Sequence, residues 1–499
     1  MKRILTYLFI ATVSLGAASC SKWLEGTSSS QVADDKMFSS RNGFYEALTG
    51  VYISMTSESC YGRNFTFYSN ELAGVNYNTV ERSGFKSWQK HSYDDVTTTS
   101  TIESMWQSAY FTIANANKIL SELDKRRDVV KDDWEYNMIR GEILAVRAYI
   151  HFDLMRMFGL ESWEGDNASK LTVPYVKEYS LNSTEQKNYS ETKALLLEDI
   201  GAALKCLEGD PVRGSEPENF DTYFNADGFW ENRNLHLNYY AVEALAARVC
   251  FWAGEYEKAK EYAEDVIENT VEKDNLVQWI DADTFVKTSS NDERDWAFTS
   301  EHLFSLEVTD LYSLTTGYCY GGDVIMTLSS TIVEDTLFPR NTLTSEGYDG
   351  AEDVRGYAMH LKYGGTGYKS YKLYSSTSMA EAYRNRMPMI RISEMYYILA
   401  FIASTEGDFD AVRSDLRSVM SHRGYTDLNY PAADSEMPAE IVKEVCREFI
   451  GEGQLFYWAK LSQKLNYPSS ASVVMTSDPS LLIYPYPTSE TTYGHIQEK

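Results

Sequence analysis

Apolar residues recur at steps of three and four through Ile139–Gly159 (IRGEILAVRAYIHFDLMRMFG): Ile139, Ile143, Val146, Ile150, Leu154 and Met157. That period predicts an amphipathic helix with one buried face; Ala145 and Ala148 admit a close neighbour, and Gly159 offers a C-terminal stop. Charge is placed oddly within it. Arg140 and Arg147 share a face, and Glu142, Asp153 and Arg156 sit among large hydrophobes. A charge drawn into a core is tolerated when it is paired and hydrogen-bonded, so structural ion pairs are expected here. The same period predicts helices within Asp34–Tyr52 (with Ser39 or Ser40 as cap), Ile102–Leu123, Thr192–Leu207, Leu237–Glu268, Met389–Arg423 and Glu440–Leu461. It fails over Glu58–Asp95, Gly209–Asn234 and Asn275–Arg386, which are rich in aromatic and polar residues; the last is expected to hold short strands. Loops of such length usually carry function.

Two of the helical segments repeat. Registering Gly254 on Gly407 aligns Ala247 with Ala400, Cys250 with Ala403, Tyr256 with Phe409, Ala259 with Val412 and Ala263 with Leu416. A small residue, a tight turn, an aromatic and then small or apolar positions resemble the tetratricopeptide hairpin. Such a hairpin cannot bury its face alone, so neighbours must stack. Ile139–Gly159 with Thr192–Leu207 would supply a third hairpin, without the turn glycine in register.

The start of the chain reads as a targeting segment. Lys2 and Arg3 precede the mostly apolar run Ile4–Ala18, and Gly16, Ala17, Ala18 and Ser19 lead into Cys20. This resembles a bacterial lipobox, in which the Cys is acylated, for example with palmitate, and becomes the mature N-terminus. The remaining chain of about 480 residues can bury a large core. A net charge of −27 argues against nucleic acid and anionic lipid heads as partners. With 37 Tyr and 10 Trp the chain is unusually aromatic, which suits wet binding surfaces for sugars or peptides. Once Cys20 is set aside, Cys60, Cys206, Cys250, Cys319 and Cys446 show no CxxC spacing and predict neither a zinc site nor a disulfide framework.

Several segments, together and in order, resemble the SusD/RagB family of outer-membrane lipoproteins of Bacteroidota. They are WQSAYFTIANANKIL (106–120), RGEILAVRAYIHFDLMRMFG (140–159), MPMIRISEMYYILA (387–400), IVKEVCREFIGEGQLFYWAKL (441–461) and the terminal Tyr484–Glu490. Phe401 and Cys446 stand where the family usually has Glu, Leu455 where it has Arg and Ala459 where it has Asp, which puts a few ion pairs in doubt. The resemblance implies a mostly α fold: about four tetratricopeptide-like hairpins with an irregular loop-rich binding lobe carrying short strands. The expected organisation is a signal peptide over 1–19, a lipidated Cys and tether over 20–33, and one domain over 34–499. Scaffold segments fall at about 34–57, 100–208, 237–269 and 387–461, and binding-lobe segments at about 58–99, 209–236 and 270–386. The implied role is a non-catalytic lid that captures oligosaccharides, or peptides in RagB-like members, at the cell exterior. It would deliver them to a partner SusC-like TonB-dependent transporter packed on the hairpin side.

The chemistry-bearing residues agree with binding more than catalysis. There is no HExxH, GxSxG, Walker lysine loop or GxGxxG, and the seven His are dispersed without ligand spacing. A surface enzyme with an unrecognised carboxylate pair is the third reading in so acidic a chain. No cofactor is implied. The run Tyr348–Asp353 offers oxygens for a structural calcium but lacks the alternation of an EF loop and reads as a solvated turn. A flat aromatic covers the apolar face of a pyranose while nearby polar side chains fix its hydroxyls. In the Asn70–Trp88 loop the family commonly places an acidic pair, an Arg and a Trp. Asn70 and Glu71, Arg82 and Trp88 match these loosely and are the first expected ligand contacts. Trp296, Tyr318, Tyr320 and Asp323 in the long lobe are the next.

Overall fold

The computed structural model describes residues 34–79, 83–321, 326–339, 353–365, 367–425, 433–461, 473, 478–494 and 496–497. The expectations for Cys20, Arg82 and Asp323, and for most of the acidic run ending at Asp353, lie outside them. Asp353 itself is committed internally, its carboxylate accepting from Arg355 Nη2 at 2.7 Å.

Helices α1 (Arg41–Met55) and α2 (Val96–Lys125) lie side by side and are followed by α3 (Asp133–Phe158) and α4 (Tyr189–Cys206). Ser40 caps α1 by accepting from Gly43 N, and Asn188 forms a reciprocal capping box with Glu191 at the start of α4. The repeated segments fold as α5 (Tyr239–Trp252) with α6 (Tyr256–Ile267) and α7 (Ile392–Glu406) with α8 (Phe409–Met420). Gly254 and Gly407 turn the two hairpins at φ of 76° and 78°, left-handed backbone that a Cβ disfavours. The aligned positions behave alike: Ala247, Ala400, Cys250, Ala403, Ala259, Val412, Ala263 and Leu416 are buried. The hairpins stack through Phe251 and Phe401, whose ring centroids are 4.8 Å apart. Helices α9 (Met437–Phe449) and α10 (Leu455–Leu461) close this end.

Helix α3 departs from the one-faced expectation. From Ile139 to Phe158 every residue but Arg140 is buried, because α1, α2, α4 and α5 surround it. Its charges are satisfied inside. Arg147 makes a bidentate pair with Asp199 at 2.7 Å and donates to Asn117 at 2.8 Å. Glu142 accepts from Arg233 at 2.6 Å and from Tyr52 at 2.8 Å, and Asp153 pairs with Arg156 and Tyr61. Arg140 reaches Asp124 at the surface.

Strands are few. β1 (Asn78–Thr79), β3 (Met326–Ser329), β4 (His360–Tyr363) and β5 (Gly367–Ser370) form an antiparallel sheet in the order β1-β3-β5-β4. β2 (His302–Glu307) pairs with β6 (Arg386–Arg391), Leu306 opposite Met387. β6 runs directly into α7, so the second sheet ties the loop-rich lobe to the scaffold. Residues 58–95, expected as an irregular binding loop, instead carry short helices at Ser69–Gly74 and Ser83–Gln89 and bury Phe65, Phe67, Leu72 and Trp88. Likewise Phe229 stacks on Tyr45 with ring centroids 4.2 Å apart, so part of the 209–236 insertion packs on α1.

A buried charge network joins lobe and scaffold. Glu448 on α9 accepts from Arg355 at 2.9 Å, from Arg423 at 2.7 and 3.1 Å, and from Arg391. Arg423 also reaches Glu301 at 2.7 and 2.8 Å, and Arg391 reaches Glu452 at 2.8 Å. Burial alone would push the Glu448 carboxyl up, but Arg423, Arg391 and Arg355 hold it well below the usual carboxylate range.

Candidate functional site: an aromatic cluster in the loop-rich lobe

The sequence-derived candidates separate once their surroundings are seen. Glu71 is fully buried and accepts from Gly451 N at 2.7 Å, Gly453 N at 2.8 Å and Tyr77 OH at 2.9 Å. It latches the Ser69–Gly74 helix to the turn between α9 and α10, which leaves no oxygen for a ligand. Burial raises its carboxyl to about 7 in spite of those donors. Asn70, also buried, donates to Phe65 O and accepts from Tyr484 OH at 2.8 Å. Trp88 is 1% exposed, its ring edge-on to Tyr93 and Tyr484, so neither face is open to a sugar. Trp296 is equally buried and donates Nε1–H to Asn291 O at 2.8 Å. The expectation of direct ligand contact therefore gives way, for Glu71, Trp88 and Trp296, to packing.

Trp296 nevertheless marks a cluster. Its ring lies 5.3 Å from Tyr371 and 6.1 Å from Tyr374. Tyr371 and Tyr374 are 5.6 Å apart, and Tyr320 sits 5.5 Å and 5.1 Å from them, with Tyr312 6.3 Å beyond. Three chain segments build it. One is the turn after Asn291. Another is the short helix Leu311–Thr315, which continues as a wide turn to Tyr320. The third is the exit from β5. Thr315 is its pin: buried, it bonds Leu311 O at 2.6 Å and Tyr320 OH at 2.8 Å. Burial drives the Tyr320 phenol up to about 12, so it stays protonated.

The cluster is graded from inside to outside. Trp296 and Tyr320 are buried, Tyr371 and Tyr374 half-buried, and Tyr312 is 42% exposed. Polar groups border the outer tier. Tyr374 OH donates to Asp292 at 3.1 Å. Lys369 Nζ donates to Tyr320 O at 3.0 Å and lies 5.4 Å from the Tyr371 ring centroid. Arg294 lies 5.3 Å from the Trp296 centroid and bonds Thr288 O at 2.7 Å. Half-open rings backed by fixed rings, with an acid and a base alongside, can stack a sugar and orient its hydroxyls. Tyr318, two residues before Tyr320, is half-buried and packs on Tyr68 at 5.1 Å and Phe85 at 6.2 Å, a contact that carries the 58–95 segment to the lobe. Tyr371, Tyr374, Lys369 and Asp292 escaped the sequence reading; their signal was the spacing in Lys369-Ser-Tyr371-Lys-Leu-Tyr374, easily taken for a strand edge. Among the described residues, no group of three His, Cys, Asp or Glu side chains could hold a metal ion, and no helix is long and apolar enough to cross a membrane.

Residues 22–208 match a SusD-like family model described as starch-binding and associating with the outer membrane. A SusD-like protein from Formosa agariphila is 24% identical over 165 residues, which span 32% of this chain and 30% of that relative. Among solved structures, a SusD superfamily protein from Bacteroides thetaiotaomicron shares the fold with a TM-score of 0.69 at 21% identity, over 92% of this chain and 99% of that one. A SusD-like carbohydrate binding protein from Bacteroides vulgatus gives 0.62 at 17% identity, over 85% and 84%.

Proposed function

We propose that this SusD-like chain is a lipid-anchored outer-membrane protein, facing the cell exterior, that binds oligosaccharides and passes them to a SusC-like TonB-dependent transporter packed on its helical hairpins. The observation that carries the reading is the outer tier of exposed Tyr312 and half-buried Tyr371 and Tyr374, which lies beside Asp292 and Lys369. Aromatic stacking with flanking hydrogen-bond groups selects a pyranose over a peptide backbone, which pairs instead along a strand edge. The role is capture without turnover. Asp292, the acidic side chain named at the cluster, accepts from Tyr374 OH at 3.1 Å. Acylation at Cys20 would hold the chain at the membrane without a spanning helix.

The purified protein, probed on an array of neutral oligosaccharides beside a peptide panel, is expected to retain one oligosaccharide class and release no product from it. Retention of peptides alone would favour the peptide-capturing reading, and product release would favour an enzyme. Cys20→Ala is expected to move the protein from the membrane fraction to the soluble one; continued membrane association would refute the anchor. Pull-down through the chain is expected to recover a large outer-membrane β-barrel partner.

A further inference from the structure

Helices α1 and α2 share an outer face that carries no charge. From Ala47 to Ser57 on the first, and from Ser104 to Asn117 on the second, no residue is charged, in a chain of which 24% is. Hydroxyl pairs hold the two stretches together, Ser54 with Thr112 at 2.5 Å and Ser57 with Ser108 at 2.8 Å. Thr49, Gly50, Ile53, Gln107 and Phe111 are exposed around them. Ile53 is 64% and Phe111 63% exposed, and a Cβ on Gly50 would meet no atom within 4 Å. The solvent side of a surface helix is ordinarily polar and charged. Large apolar side chains set together on an uncharged face mark a surface that something covers.

The place where the described chain enters says what that is. Lys118 Nζ holds the Asp34 carboxylate at 2.8 Å, and Arg126 pairs with Asp35. Phe111 and Lys118 are seven positions apart on α2, so they lie on one side of it, about 10 Å apart along the axis. Tyr179, 56% exposed, borders this entry, its ring centroid 4.9 Å from Lys118 Nζ. Residues 21–33, SKWLEGTSSSQVA, lead directly to Asp34. They carry one adjacent pair of large apolar residues, Trp23 and Leu24, and from Gly26 to Ala33 they are as free of charge as the face itself. The eleven residues from Trp23 to Asp34 can span about 38 Å when extended, ample for the distance to Phe111. Closing so short a loop costs little entropy.

We propose that this face is the docking surface for the chain's own 21–33 segment, with Trp23 and Leu24 seated against Ile53 and Phe111. The indole supplies a large apolar area with one polar edge, which suits a face of two apolar side chains ringed by hydroxyls and a carboxamide. Trp23 is three residues from Cys20, so docking draws the proposed anchor to α1 and α2 and turns this side of the scaffold toward the membrane. The contact is separate from oligosaccharide capture and does not depend on it.

The test places a photo-crosslinker on the face, as Phe111→p-benzoylphenylalanine, an aromatic for an exposed aromatic, in the full chain expressed in intact cells. After irradiation, cross-linked peptides are read by mass spectrometry. The expected adduct joins position 111 to residues 21–33 of the same chain, with monomer mobility on a denaturing gel, and its yield falls at least tenfold in Trp23→Ser/Leu24→Ser. An adduct to a β-barrel protein, to a second copy or to lipid in its place, or no adduct within 21–33, would overturn the proposal. A second measurement needs no crosslinker: in the detergent-solubilised full chain, trypsin is expected to cut after Lys22 at least tenfold more slowly than in Trp23→Ser/Leu24→Ser, and equal rates would overturn the proposal. Membrane-fraction recovery and oligosaccharide capture are scored separately and are expected to be kept in the double variant, which distinguishes a failure of docking from a failure of the anchor or of the tyrosine cluster.

Discussion

Replacing Glu448 by Gln should be among the most damaging isosteric changes in this protein. The carboxylate is fully buried and receives three guanidiniums, from Arg355, Arg391 and Arg423. The amide keeps one acceptor oxygen but turns an NH₂ donor toward groups that can only donate. Breaking a buried pair by removing one partner costs about 3–5 kcal/mol. Each guanidinium here retains another carboxylate: Arg355 has Asp353, Arg391 has Glu452 and Arg423 has Glu301. The lower end, about 3 kcal/mol, is therefore expected. At about 2.1 cal/mol/K of unfolding entropy per residue, this is roughly a 3 °C fall in Tm. The folded-state pKa is depressed, so the hub's stabilisation is full above the ordinary carboxylate value and is lost as pH falls below it. Denaturant titration of both proteins at neutral pH and near pH 3 reads the effect, with exposed Asp410→Asn as control. A Glu448→Gln midpoint matching wild type at neutral pH would refute the reasoning, as would a gap that does not narrow in acid.

Trp88→Ala should destabilise by about 3–5 kcal/mol in chemical denaturation, yet leave oligosaccharide affinity unchanged in the folded fraction, since the ring packs on Tyr93 and Tyr484. Gly407→Ala should cost about 1–2 kcal/mol through backbone strain alone, because a Cβ there would meet no atom within 4 Å; a neutral result would contradict the left-handed turn. Glu71, raised by burial to about 7, contributes stability that is full below its unfolded value and declines as pH rises through about 7. Glu71→Gln should remove that slope from a pH series of denaturation midpoints, and an unchanged slope would assign it to other groups.

Much of the scaffold was legible because it is local. Helical period and the register on Gly254 and Gly407 sit within short windows, and the hairpins follow from them. The ion pairs of α3 were readable from the cost of burying charge, although the helix proved buried all round, which depends on neighbours that periodicity does not report. Phe401, where the family that the sequence resembles usually carries Glu, packs on Phe251, Tyr256 and Trp458, so ring stacking stands in that place. The site was read less well. Trp88 is buried by Tyr484, nearly four hundred residues later, and no local pattern shows that. Aromatic richness marks packing and binding alike; only the gradient from Trp296 outward to Tyr312 separates them, and it is assembled from three distant segments.

The central claim is that Tyr312, Tyr371 and Tyr374 form the sugar-stacking face. A crystal structure of the protein with its tightest-binding array oligosaccharide tests this most directly. The account predicts a sugar ring stacked on at least one of these rings, with hydroxyls bonded to Asp292 or Lys369. A bound oligosaccharide that touches none of the three tyrosines would contradict it.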